Sequence, residues 1–236
     1  MRGKLALLLI LILALGFLAA RLFPREKAEQ YPDFGGGEDE KLLPVDQGKE
    51  NPDFLRFREE LQSAVERKDL EYLKRHLSDK IRYTFGENHS TRGFLRAWKL
   101  DEDPSSSEFW AELDAVLSLG GTFNNEEKTI FTAPYVYTRF PEKFDPFQHQ
   151  AVIAKGVKVY EKPDREAKVL GKLDYSIVKV QEEVVQKGKE SWLKIQNSSG
   201  EEGFIQARYA RSPVDYRASF QKTESSWELI FFVAGD

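Results

Sequence analysis

Apolar residues recur at three- and four-residue steps through Phe54, Phe57, Leu61 and Val65, which predicts an amphipathic helix capped by Asn51 with Pro52 at its first position. Asp69 is placed to cap a second helix carrying Leu70, Leu73 and Leu77 on one stripe. A short strand, Ile81 to Phe85, then turns at Gly86. Ser105 and Glu108 have capping-box spacing ahead of Trp110, Leu113 and Leu117, and Gly120 closes that helix. The run "TIFTAPYVYTRF", Thr129 to Phe140, is β-branched and aromatic and reads as a strand, confined to an edge or bulge by Pro134.

From Val157 the pattern changes to short alternations. Val157 and Val159 begin one strand, Pro163 a turn, Val169 and Leu170 a second strand, and Ile177, Val178 and Val180 a third. Trp192, Leu193 and Ile195 follow, then a Gly200 to Gly203 turn before Phe204 and Ile205. Five short strands in about sixty residues suit a small barrel. Two further alternating runs, Tyr216 to Lys222 and Trp227 to Val233, form a hairpin too apolar to stand alone, so it is expected to complete the sheet of the N-terminal region.

The ordered series V-x-V (Val157 to Val159), Pro163, V-x-G-x-L (Val169 to Leu173), W-x-K-I (Trp192 to Ile195) and G-x-x-G-aromatic-I (Gly200 to Ile205) resembles the bacterial SH3 (SH3b) family. Lys158 and Tyr160 depart from that family's usual polar residue and arginine. The remainder, two helices, strand, helix, strands and a closing hairpin, resembles an NTF2-like α+β cone on element order alone. The expected fold is therefore α+β: an NTF2-like host, residues 51–148 plus 212–236, split by an inserted all-β SH3-like small barrel at 150–211.

Arg2 and Lys4 precede an uncharged apolar run, Leu5 to Ala20, ending at Arg21. Residues 1–23 thus read as an export signal, either a cleaved signal peptide or a short inner-membrane anchor, that sends the body to the periplasm or cell envelope. Residues 24–50, with three successive glycines and few large apolar groups, read as a flexible tether. Setting residues 1–23 aside removes three of 35 Lys and Arg and none of 39 Asp and Glu, leaving a net charge of −7. Such a balance without clustered Lys and Arg argues against nucleic acid as a partner. The chain has no cysteine, which excludes disulfides, thiol nucleophiles and lipoprotein acylation.

The sequence nominates no catalytic residue, metal site or cofactor. His76, His89 and His149 lack ligand spacing, and Asp101, Glu102 and Asp103 read as a solvated acidic turn. Tyr160, Tyr175 and Tyr209 are candidates for a ligand-contacting surface on the barrel, because tyrosine supplies contact area and a hydroxyl at low entropic cost. Tyr135, Tyr137 and Arg139, at period two, are candidates to line a pocket in the host, against the plainer reading of a packed aromatic face. The SH3b resemblance implies a non-enzymatic envelope protein recognising peptidoglycan peptides or an envelope protein. The alternative is a small-molecule-binding or enzymatic NTF2-like domain for which the barrel is a structural or dimerisation module.

Overall fold

The helix that opens the folded body, α1 (Pro52–Glu66), is set by its cap: the Asn51 side chain accepts hydrogen bonds from the Asp53 and Phe54 amides. Asp69 does the same for Tyr72 at the start of α2 (Leu70–Arg75). These elements belong to a computed structural model that describes residues 31–87 and 89–235. The apolar leader and the beginning of the expected tether lie outside the described residues. Among the described residues, no helix is long and apolar enough to cross a membrane.

After α2 come β1 (Leu77–Arg82), α3 (Thr91–Ala97), α4 (Phe109–Ser118), β2 (Thr122–Phe123), β3 (Ile130–Ala133) and α5 (Tyr135–Arg139). Next are β4 (His149–Val152), β5 (Val157–Tyr160), β6 (Val169–Leu173), β7 (Ile177–Lys187), β8 (Glu190–Gln196), β9 (Glu202–Gln206), β10 (Ala210–Arg211), β11 (Arg217–Lys222) and β12 (Trp227–Val233). The fold is mixed α+β. A five-stranded sheet has the order β1-β12-β11-β3-β2, and a seven-stranded sheet the order β10-β4-β7-β8-β9-β5-β6.

The C-terminal hairpin lies at the centre of the five-stranded sheet: β12 pairs parallel with β1, and β11 antiparallel with β3. Phe220, Trp227, Leu229 and Phe232 thereby meet Phe54, Phe57 and Leu61 of α1 and Phe109, Leu113 and Leu117 of α4 in one core. In the seven-stranded sheet, Val152, Val159, Leu173, Val178, Ile195 and Ile205 share a second core. Strands from opposite ends of the sheet contribute to it, so the sheet wraps around these residues. A third cluster joins Tyr135 and Val136 of α5 to Ala151 of β4 and Ile177 of β7.

Three local expectations are corrected. The segment Thr129 to Phe140 is not one strand: β3 stops at Ala133, because Pro134 has no amide to continue the ladder, and Tyr135–Arg139 forms a helical turn. The first strand is Leu77–Arg82 rather than Ile81 to Phe85, since its partner is the parallel β12 and not a hairpin neighbour. Ser105 does not cap α4. Its hydroxyl donates to Asp103 (2.8 Å), and Ser107 Oγ accepts from the Phe109 amide instead (3.2 Å).

The expected tether is corrected as well. From Asp33 to Glu50 the chain is a strap. The Phe34 amide donates to the Lys172 carbonyl along the outer edge of β6, and the Leu42 amide to Tyr175 O, both at 2.8 Å. Phe34 and Leu42 are each only 6% exposed, the first in the core of the seven-stranded sheet and the second in the cluster around Tyr135. Few apolar residues are needed to hold a strap when each one enters a core that is already formed. Covering β6 also removes an exposed sheet edge.

Candidate functional site

Tyr160 ends β5, where its ring meets the buried Trp192 edge-on at 5.5 Å. Its outer side opens onto a cleft of about 270 Å³ that also takes in Lys155, Lys158, Arg165, Gln206, Arg208 and Tyr209. Tyr209 reaches it from a single helical turn, Ala207–Tyr209, that follows β9. Gly156, in the left-handed region (φ 68°), makes the bend before β5, and its amide donates to Asp174 Oδ1 at 2.6 Å.

The charge in this cleft has one sign. Its charged lining groups among the described residues are four cations, Lys155, Lys158, Arg165 and Arg208. Arg165 is ion-paired with Glu190. The Arg208 guanidinium lies over the Tyr209 ring, 4.7 Å from its centroid, and donates to Tyr209 Oη (2.8 Å) and to Gln206 Oε1 (3.1 Å). A guanidinium oriented by a ring and two oxygens keeps donors for an incoming carboxylate or phosphate, with little rotamer freedom left to lose. A second cleft of about 690 Å³, between the end of α4 and β10, shares Arg165, Gln206 and Arg208 with the first and adds Lys189, Arg211 and one carboxylate, Glu190.

Two of the three sequence-nominated barrel tyrosines, Tyr160 and Tyr209, therefore line one cleft. Tyr175 does not. It occupies the turn between β6 and β7 with φ 55°, its carbonyl accepting from the strap, and the ammonium of the lining residue Lys155 lies 5.9 Å from its ring.

Tyr135, Tyr137 and Arg139 do not form a shared face, because they lie on a helical turn instead of a strand. Tyr135 is 1% exposed, in the cluster against Ala151 and Ile177. Tyr137 is 44% exposed with Arg217 over its ring at 4.7 Å, and Arg139 faces solvent. None of the three lines either cleft described above.

Two of the histidines make local contacts: His76 Nδ1 is 2.9 Å from Tyr72 O, and His149 Nδ1 is 3.1 Å from Asp145 O, while the buried Nδ1 of His89 has no hydrogen-bond partner among the described residues. Among the described residues no group of three or more His, Cys, Asp or Glu converges as a metal site would. Asp103 accepts from the Ser106 and Ser105 hydroxyls, in that order of effect, and these hold its carboxyl below the ordinary carboxylate range.

Lys155 and Arg208 were not legible as site residues. They stand 53 positions apart in a chain of net negative charge, and only the pairing of β5 with β9 through Tyr160 and Phe204 brings their loops together. Comparison with known proteins adds no relative: no family model matches the chain, and neither the curated proteins nor the solved structures give a match.

Proposed function

We propose that this chain is a non-enzymatic, exported bacterial envelope protein, in which an SH3b-type module carried by an NTF2-like host recognises peptidoglycan peptides. The observation that carries the reading is the cleft joining Tyr160 and Tyr209 to four cations with no carboxylate among its described lining residues. A stem peptide of the cell wall is a short chain with free carboxylates. Tyrosine faces supply contact area along such a peptide, and Arg208, whose Nη2 is already engaged by Tyr209 and Gln206, supplies its remaining N–H donors and its charge to a carboxylate. On this reading export is directed by residues 1–23.

The test is co-sedimentation of the full chain, in mild detergent, with purified sacculi. Saturable pelleting that falls at least tenfold in an Arg208→Ala, Tyr209→Ala variant with unchanged circular dichroism is the expected result. Pelleting that the variant retains would remove the cleft from the reading, and absence of pelleting would point to an envelope protein as the partner.

A further inference from the structure

A third cleft, of about 710 Å³, lies at the end of the five-stranded sheet where β12 finishes and β11 begins. Four aromatic side chains line it: Tyr83 and Phe85 after β1, Trp98 at the end of α3, and Tyr216 before β11. Trp98 packs on Phe109 and Phe232, and Tyr216 lies parallel to Phe232 at 5.1 Å, so each of these rings has one side fixed by the core. Phe85 is 52% exposed, although a ring of that size is ordinarily buried. We propose that this cleft binds a ligand bearing a quaternary ammonium group, seated against Trp98 and Tyr216.

Charge and occupancy of the rings support that class. The cleft's charged groups among the described residues are Glu102, Asp103 and Glu108 against one cation, Lys99. Glu112 and Asp215 stand beside Tyr216, with Asp215 ion-paired to Arg211, and the Tyr216 phenol is pushed up by burial first and then by Glu112, Asp215 and Glu108. Three rings elsewhere carry the protein's own cations: Arg75 over Tyr72, Arg208 over Tyr209, Arg217 over Tyr137. Among the described residues, no lysine or arginine lies over Tyr83, Phe85, Trp98 or Tyr216. Partly exposed rings lining a cleft whose charged groups are mostly carboxylates attract a cation through the ring quadrupole.

The carboxylates also decide what kind of cation. They do not converge into a group that could hold a metal ion. A divalent ion needs several oxygens at bonding distance, whereas a quaternary ammonium spreads its charge over methyl groups and needs only a negative surround with apolar walls. This inference is independent of the basic cleft around Tyr160, which favours the opposite charge.

The experiment uses the full chain in mild detergent, with its tryptophan indoles labelled with nitrogen-15. Choline and its neutral isostere 3,3-dimethylbutan-1-ol are titrated in turn. Trp98→Phe assigns the Trp98 indole signal and leaves the other three tryptophans in place. Choline is expected to shift the Trp98 signal saturably, with the alcohol at least fivefold weaker. A Glu102→Gln, Glu108→Gln variant, altering exposed side chains only, should weaken choline at least threefold and leave the alcohol unchanged. Equal affinity for the two probes, an unaffected choline titration in the double variant, or no saturable shift at Trp98 would each overturn the proposal.

Discussion

Arg58 on α1 grips Asp46 of the strap with two hydrogen bonds, Nη1 to Oδ1 at 2.6 Å and Nη2 to Oδ2 at 2.9 Å. Arg58 is 6% exposed, and its guanidinium also faces the rings of Phe54 and Phe131 at 5.9 and 6.0 Å. A charge so buried tolerates its position only while its counter-charge is present. Asp46→Ala is therefore expected to cost about 3 kcal/mol in urea unfolding at pH 7.

The same pair predicts an acid limb. Burial opposes ionisation of Asp46, but the hydrogen bonds and charge of Arg58 outweigh it and hold the carboxyl below its ordinary 3.8. A carboxyl with a depressed folded-state value contributes stability that is complete above the ordinary value and fades as pH falls through the lower one. Melting temperatures measured from pH 6 down to pH 2 should fall more steeply below pH about 4 in the wild type than in Asp46→Ala. Parallel curves would show that the pair does not set the acid limb.

Phe34 anchors the other end of the strap. Its side chain is in the core of the seven-stranded sheet, and Asn197 Nδ2 donates to its carbonyl at 3.0 Å. Phe34→Ala should cost about 3 kcal/mol, at the low end for a buried phenylalanine because the strap can shift. It should also make the segment between Asp33 and Glu50 the first site of limited proteolysis. Wild-type cleavage rates in the variant would mean that this segment behaves as a tether after all.

Gly121 precedes β2 where the chain crosses β3. A Cβ there would lie 2.1 Å from the Thr132 carbonyl oxygen, which is backbone and cannot swing aside. Gly121→Ala should destabilise by about 2 kcal/mol or more through that collision. Gly156 provides the contrast. Its φ is 68° and nothing lies within 4 Å of its would-be Cβ, so Gly156→Ala should cost only about 1 kcal/mol, the penalty of the left-handed backbone. Equal losses in denaturant would contradict the close approach at Gly121.

Tyr135 carries a buried hydroxyl that has no hydrogen-bond partner among the described residues. Burial, with Tyr175 adding to it, pushes the phenol up to about 12. A raised folded-state value means that the contribution to stability is complete below the ordinary 10 and is lost as pH rises towards 12. Tyr135→Phe should be neutral or slightly stabilising at pH 7, since it removes an unsatisfied polar group, and should flatten the loss of stability between those two values. A loss of more than about 1 kcal/mol at pH 7 would show that the hydroxyl has a partner in solution.

The sequence alone determined those features whose cause lies within a few residues. Asn51 and Asp69 cap the helices they were expected to cap, and the stripe Phe54, Phe57, Leu61, Val65 is buried as its spacing required. The alternations from Val157 to Ile205 became strands, because a side-chain period of two is a local property of the backbone. What tertiary structure decided lies at long separation. The hydrogen bond from Asn197 to Phe34 spans 163 positions, and no local pattern marks residues 33 to 50 as anything but polar linker. Tyr135, Tyr137 and Arg139 have the period of a strand, yet Pro134 ends β3 and the following residues close a helical turn whose buried side chains pack on Ala151 and Ile177. The basic cleft is the same kind of product. Tyr160 and Tyr209 were visible as residue types, but the cations beside them are scattered through a chain of net negative charge. They form a site only where sheet pairing brings their loops to one place.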